Sequence, residues 1–141
     1  MLQVQKQAMP NYNYTVPGLL AEARIRRATL PDCDEHTDHV VELQLVVAAL
    51  NTLPNNTYRR ANWQRDLVDF FNHERNLQCL TRQQNLAKRN VVWTWINGDR
   101  AQIMDDEMEW IEEIRERWNE IAPALHNFVR FSNALNHILE V

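Results

Sequence analysis

The chain has 141 residues, 45% of them apolar, with 15 basic against 19 acidic side chains, two glycines and two cysteines. That length fits one domain with its own core, and two cysteines rule out a disulfide-rich scaffold. The longest apolar run, residues 45–50, falls far short of the roughly 20 residues a membrane-spanning helix needs. The formal net charge of −4 argues against a nucleic-acid partner until it is divided along the chain. Residues 1–100 carry twelve basic and ten acidic side chains, net +2, whereas residues 101–141 carry three and nine, net −6. Residues 75–98 hold Arg75, Arg82, Lys88 and Arg89 with no acid among them. Isolated, such a run reads as a solvated helix face.

In chain order, residues 1–17, with two prolines and several Asn, Gln and Tyr, predict an irregular arm, and residues 18–30 a short helix opened by Pro17-Gly18. The first residues lack the apolar stretch of a secretory signal, so the expectation is a soluble, intracellular protein. Asp32 to Glu35 is a polar break, and His39-Val40-Val41 begins a strand-like piece. Leu43 to Leu50 fits either a buried helix or a continuing strand, because periodicity does not separate the two in a short apolar run. Pro54 and its neighbouring asparagines mark a loop. Trp63, Leu67, Phe70 and Phe71 then recur at helical spacing, and Asn76 to Leu80 suits a second strand. Thr81 is a cap for a helix from Arg82 to about Arg89. From Met104 onward apolar positions such as Ile111, Ile114, Trp118, Ile121, Phe128, Leu135 and Ile138 mostly recur every three or four residues, with a break expected at Pro123.

The residues that carry chemistry are Asp38-His39 on the first strand and the run Asn76-Leu77-Gln78-Cys79-Leu80-Thr81-Arg82-Gln83-Gln84-Asn85-Leu86-Ala87-Lys88-Arg89. Their order and offsets resemble those of the HNH endonucleases of the ββα-metal type. That family places an acid and a histidine on one strand and an asparagine at the start of the next. A His or Asn follows nine residues later on the helix, with a basic residue three further on. With Asn85 in the last ligand slot the chain resembles the H-N-N variants and is similar to the HNH domains of CRISPR effector nucleases. Residues 43–74 form a longer insertion than is usual, and the positions of the common zinc-knuckle cysteines hold Thr81 and Gln84, so no structural zinc is expected.

The resemblance implies an α+β, mostly helical fold with a ββα-metal core at 32–90, a helical scaffold at 101–141, and one domain over 1–141. It implies a divalent-metal-dependent endonuclease acting on nucleic acid, double-stranded DNA above all. His39 would be the general base, a role its near-neutral imidazole suits. Asp38 and Asn85 would supply hard oxygens to Mg2+ or Mn2+, and Asn76 would tie the hairpin together. Arg82, Lys88 and Arg89, with Arg75, would hold phosphates, the first three sharing a helix face with Asn85. Adjacent strand residues point to opposite sides, so a shared site for Asp38 and His39 requires the strand to twist or break there.

Other groupings are weaker. Cys33, His36, His73 and Cys79 lack the tight pair spacing of a zinc site, and the expectation is two packed thiols and surface histidines. Glu42, close after His39, could orient it or add a ligand, but reads first as a solvated carboxylate at the strand end. Trp93 and Trp95 are core candidates or base-stacking platforms. The C-terminal helices are a candidate homodimer surface. The two competing functions are a catalytically silent nucleic-acid-binding module and a helical protein-interaction domain.

Overall fold

The computed structural model describes residue 30 and residues 32–141. The expected arm at 1–17 and nearly all of the expected helix at 18–30 lie outside the described residues. The described chain is α+β and mostly helical. Its order is β1 (His36–His39), α1 (Leu43–Asn51), α2 (Trp63–Phe71), β2 (Leu77–Leu80), α3 (Arg82–Ile96), α4 (Met108–Ile121) and α5 (Val129–Leu139), with single 3-10 turns at Glu74–Asn76, Arg100–Gln102 and Ala122–Ala124.

Leu43 to Leu50 resolves as a helix. Its Leu45, Val46, Ala49 and Leu50 are buried, a spacing of three and four that makes one face. In α2 the buried set is Trp63, Leu67, Val68 and Phe71, in α4 Ile111, Ile114, Trp118 and Ile121, and in α5 Phe131, Leu135 and Leu139. These faces meet in one core, where the Phe71 ring stacks on Trp118 at 6.1 Å and meets Phe131 edge-on at 5.8 Å. Such aromatic pairs add about 0.5–1.5 kcal/mol each beyond the area they bury. Two polar groups at its edge are partnered: the Trp118 indole N–H donates to Asn136 Oδ1 at 2.6 Å, and the Tyr58 hydroxyl accepts from the backbone of Phe131. Pro123 sits in the 3-10 turn that separates α4 from α5, as a residue without an amide hydrogen requires.

The α3 helix starts where Thr81 predicts and runs on past Arg89 to Ile96. Thr81 Oγ1 accepts from the Gln84 amide at 3.0 Å while Gln84 Oε1 accepts from the Thr81 amide at 2.9 Å, so two orphan donors are satisfied reciprocally. The extension beyond Arg89 is driven by burial of Val91, Val92 and Trp95. Just beyond the helix, Gly98 turns the chain at a φ of 88°, a conformation that side chains disfavour.

The two strands pair antiparallel, with Thr37 opposite Cys79 and His39 opposite Leu77. No tight turn joins them; the chain between includes α1 and α2. Asn76 closes the open end in place of a turn. Its carbonyl accepts from the Val40 amide at 2.7 Å, its Oδ1 from the Val41 amide at 2.8 Å, and its Nδ2 donates to the carbonyls of Phe71 and Val41. At the other end, Cys33 and Cys79 form a disulfide, which corrects the expectation of two packed thiols. The segment before β1 brings Cys33 to a Cα–Cα distance of 5.4 Å from Cys79, within bridging range, a proximity that the sequence separation of 46 hides. Among the described residues no helix is long and apolar enough to cross a membrane.

Candidate active site

Lys88 organises the site. It lies on the inner face of α3 and is completely buried. Its ammonium donates to Asp38 Oδ2 at 2.8 Å and to the backbone carbonyl of His39 at 2.7 Å. A buried ammonium is tolerated only when paired and hydrogen-bonded, and β1 provides both an anion and a carbonyl. Lys88 therefore stands in the interior as the counter-ion of Asp38, which corrects its expected position as a surface grip on a phosphate: it is fully buried and two of its three donors are engaged by β1.

Asp38 and His39 leave β1 toward different neighbours. The Asp38 carboxylate turns to α3, whereas the His39 ring, only 4% exposed, places Nε2 at 2.6 Å from Oδ1 of Asn72, the residue that ends α2. The strand is regular up to His39 and stops there, with Val40 and Val41 already in a bend. The twist or break expected at Asp38-His39 is therefore absent: the bend comes only after His39, and the two side chains turn to different neighbours, as adjacent residues of a regular strand do. Nothing in the sequence singles out Asn72. Its signal is spatial: it follows the last turn of α2, against the end of β1.

Asn85 lies three residues before Lys88 on α3, half-buried, with its amide hydrogen-bonded to the Thr81 carbonyl. Arg82 and Arg89 are exposed on the same helix. Arg75 is exposed but lies away from that row: its Nη2 donates to the Glu120 carbonyl at 3.3 Å, its own carbonyl accepts from Arg117, and it borders a cleft of about 430 Å3 together with Arg60, His73 and His126. Asn76 is fully buried with its amide engaged in closing the hairpin.

The reading of Glu42 as a solvated carboxylate is also corrected. Glu42 is 6% exposed, at the N-terminal cap of α1, with Oε1 accepting from Gln44 Nε2 at 2.8 Å. Gln44 reaches on to the Arg89 carbonyl, which faces Glu42 toward α3. Burial pushes its carboxyl above the ordinary 4.5; the Lys88 ammonium pulls it down and the Asp38 carboxylate pushes it up again.

Among the described residues no group of three or more His, Cys, Asp or Glu side chains is placed to hold a metal ion. Of the two expected ligands, Asp38 keeps 13% of its side-chain surface exposed and Asn85 is a half-buried residue of α3. Two hard oxygens without thiolate or imidazole suit an ion that retains most of its water, as magnesium and manganese do. Cys33 and Cys79 are consumed by their disulfide. Comparison with known proteins gives no match among family models, curated proteins or solved structures.

Proposed function

We propose that the chain is a divalent-metal-dependent endonuclease of the HNH, ββα-metal type, with nucleic acid, above all double-stranded DNA, as substrate. The observation that supports this reading is the pair of bonds from Lys88 to the Asp38 carboxylate and the His39 carbonyl, which ties α3 to the strand bearing the Asp-His pair 50 positions earlier. Asp38 and Asn85 would hold Mg2+ or Mn2+, which in such sites neutralises charge on the scissile phosphate and its leaving oxygen. His39 takes the proton from the attacking water. Asn76 fixes the strand end from which His39 projects, and exposed Arg82 and Arg89 bind flanking phosphates. The Cys33–Cys79 bridge supports an oxidising compartment as the setting, in place of the intracellular one.

Incubating supercoiled plasmid with the protein and Mg2+ or Mn2+ tests the reading. Nicking or linearisation is expected, lost with chelator and reduced at least a hundredfold in His39→Ala and Asp38→Asn, a loss in keeping with removal of a general base or a metal ligand. A second reading, a nucleic-acid-binding module that does not cut, is favoured by the burial of His39 and the engagement of its Nε2 by Asn72. A salt-sensitive gel shift without cleavage selects it. Neither cutting nor binding leaves the helical interaction domain, with α4 and α5 as its surface.

A further inference from the structure

The outer face of α3 carries a row of side chains that the core does not use. Lys88, Val91, Val92 and Trp95 are buried. Arg82, Leu86, Arg89 and Trp93 recur at steps of four, three and four and are all exposed, so they share the opposite side of the helix. Trp93 and Trp95, two positions apart, are separated by the fold. Trp95 is 3% exposed, its indole N–H donates to the Ile138 carbonyl at 2.9 Å, and the Arg100 guanidinium lies over its ring. Trp93 keeps 59% of its surface in water and Leu86 keeps 53%. Among the described residues neither Arg82 nor Arg89 forms an ion pair, and residues 75–98 contain no Asp or Glu. The row is therefore apolar and cationic by turns, with no acid of its own segment to oppose an anion.

That chemistry selects its occupant. Groove edges of a duplex are read by hydrogen-bonding side chains, and the faces of paired bases are covered by their neighbours. A bare indole face offers little there. An unpaired base has a free face for it, and phosphates on either side meet the two guanidiniums. Arg89 and Trp93 lie one helical turn apart, about 6 Å along the axis, a reach comparable to one nucleotide. We infer that the outer face of α3 is a docking surface for single-stranded DNA, with Trp93 stacked on a base, Leu86 in apolar contact beside it, and Arg82 and Arg89 on the adjoining phosphates. This rests on the nucleic-acid part of the reading above and narrows it: the stretch of DNA that meets α3 is unpaired. It requires neither a metal ion nor cleavage.

The test is fluorescence anisotropy of a labelled oligothymidylate of roughly a dozen nucleotides, and of a duplex of equal length, titrated with the full chain in chelator so that nothing is cut. Trp93→Ala is expected to weaken single-strand binding about tenfold or more and to leave duplex binding and the melting temperature unchanged. Trp93→Phe keeps most of the affinity yet loses the quenching of tryptophan fluorescence that the wild type shows on binding. Arg89→Gln weakens single-strand binding and lowers its salt slope by about 0.7. Binding of the duplex alone, an equal loss on both ligands in Trp93→Ala, or unchanged single-strand affinity in that variant overturns the inference and leaves the nucleic-acid reading standing. Self-association of the free protein in sedimentation that Trp93→Ala abolishes assigns the face to a second copy and likewise overturns it. Binding of neither ligand by the wild type removes the nucleic-acid reading together with the inference.

Discussion

Around Phe71 the helical body is closed almost entirely by apolar atoms: Leu45, Leu67, Trp118, Phe131 and Leu135 all lie at or near zero exposure. Around Lys88 the hairpin and α3 are closed by bonds with direction: the ammonium on Asp38, the Asn76 amide on Val41 and Phe71, and a disulfide. The two regions reach similar burial at opposite costs. Apolar packing gains stability with every atom removed from water and tolerates exchanges of similar shape, whereas buried polar groups hold one geometry and roughly break even in stability. The hairpin region thus buries Glu42, Asn76 and Lys88 where the body buries only apolar side chains, and it holds its shape by directed bonds.

The contrast is open to direct attack. Phe131→Ala empties the centre of the body and is expected to cost about 3–5 kcal/mol in urea unfolding. Lys88→Met, which fills the same space with an apolar chain, is expected to cost about as much, since it strands Asp38 and Glu42 without a counter-ion. A Lys88→Met protein of wild-type stability would show that the polar interior is no more demanding than the apolar one. Next in size, reducing the Cys33–Cys79 bridge is expected to lower stability by about 2–4 kcal/mol. Melting curves with and without reductant read it, and the Cys79→Ser protein should be insensitive to reductant. Thr81→Ala removes one half of the capping box of α3 and is expected to cost about 1 kcal/mol, seen as a small drop in the midpoint of thermal unfolding followed by circular dichroism.

The last and gentlest probe is pH. The folded Glu42 carboxyl is held above the ordinary 4.5, first by burial and then by Asp38, against the pull of Lys88. The folded state therefore binds that proton more tightly than the unfolded state. Its contribution is full below about 4.5 and is lost as pH rises through the raised folded value. The stability of the wild type relative to Glu42→Gln should fall across that window and then level off. A flat difference between the two proteins would place Glu42 outside the charged cluster.

The skeleton of the fold was legible because it depends on neighbours in sequence. Trp63, Leu67, Phe70 and Phe71 recur at the spacing of a helix, Thr81 and Gln84 cap one, and Pro123 interrupts another, and each of these acts within a turn or two of chain. The candidate site was legible only in its residue types. Lys88 sits at helical spacing between Asn85 and Arg89, where a basic side chain reads as solvent-facing; only the packing of α3 on β1 turns it inward. Glu42 looked solvated because nothing local says that α3 lies over it, and Asn72 carried no signal because its partner His39 is 33 positions away. Likewise the run at 43–50 stayed ambiguous until the partners of its apolar residues were in place.

By itself, then, the sequence determined where most helices lie and how two of them are capped or interrupted, the division of charge between a basic stretch and an acidic end, and a set of residues whose offsets resemble those of the HNH family. Tertiary structure alone decided which cation of α3 is a buried counter-ion and which are exposed, which carboxylate oxygens are buried without a donor, and that two distant cysteines are joined. The physical reason is range. Caps, turns and amphipathic faces are settled by contacts a few residues apart, whereas desolvation and charge pairing depend on what the folded chain brings overhead.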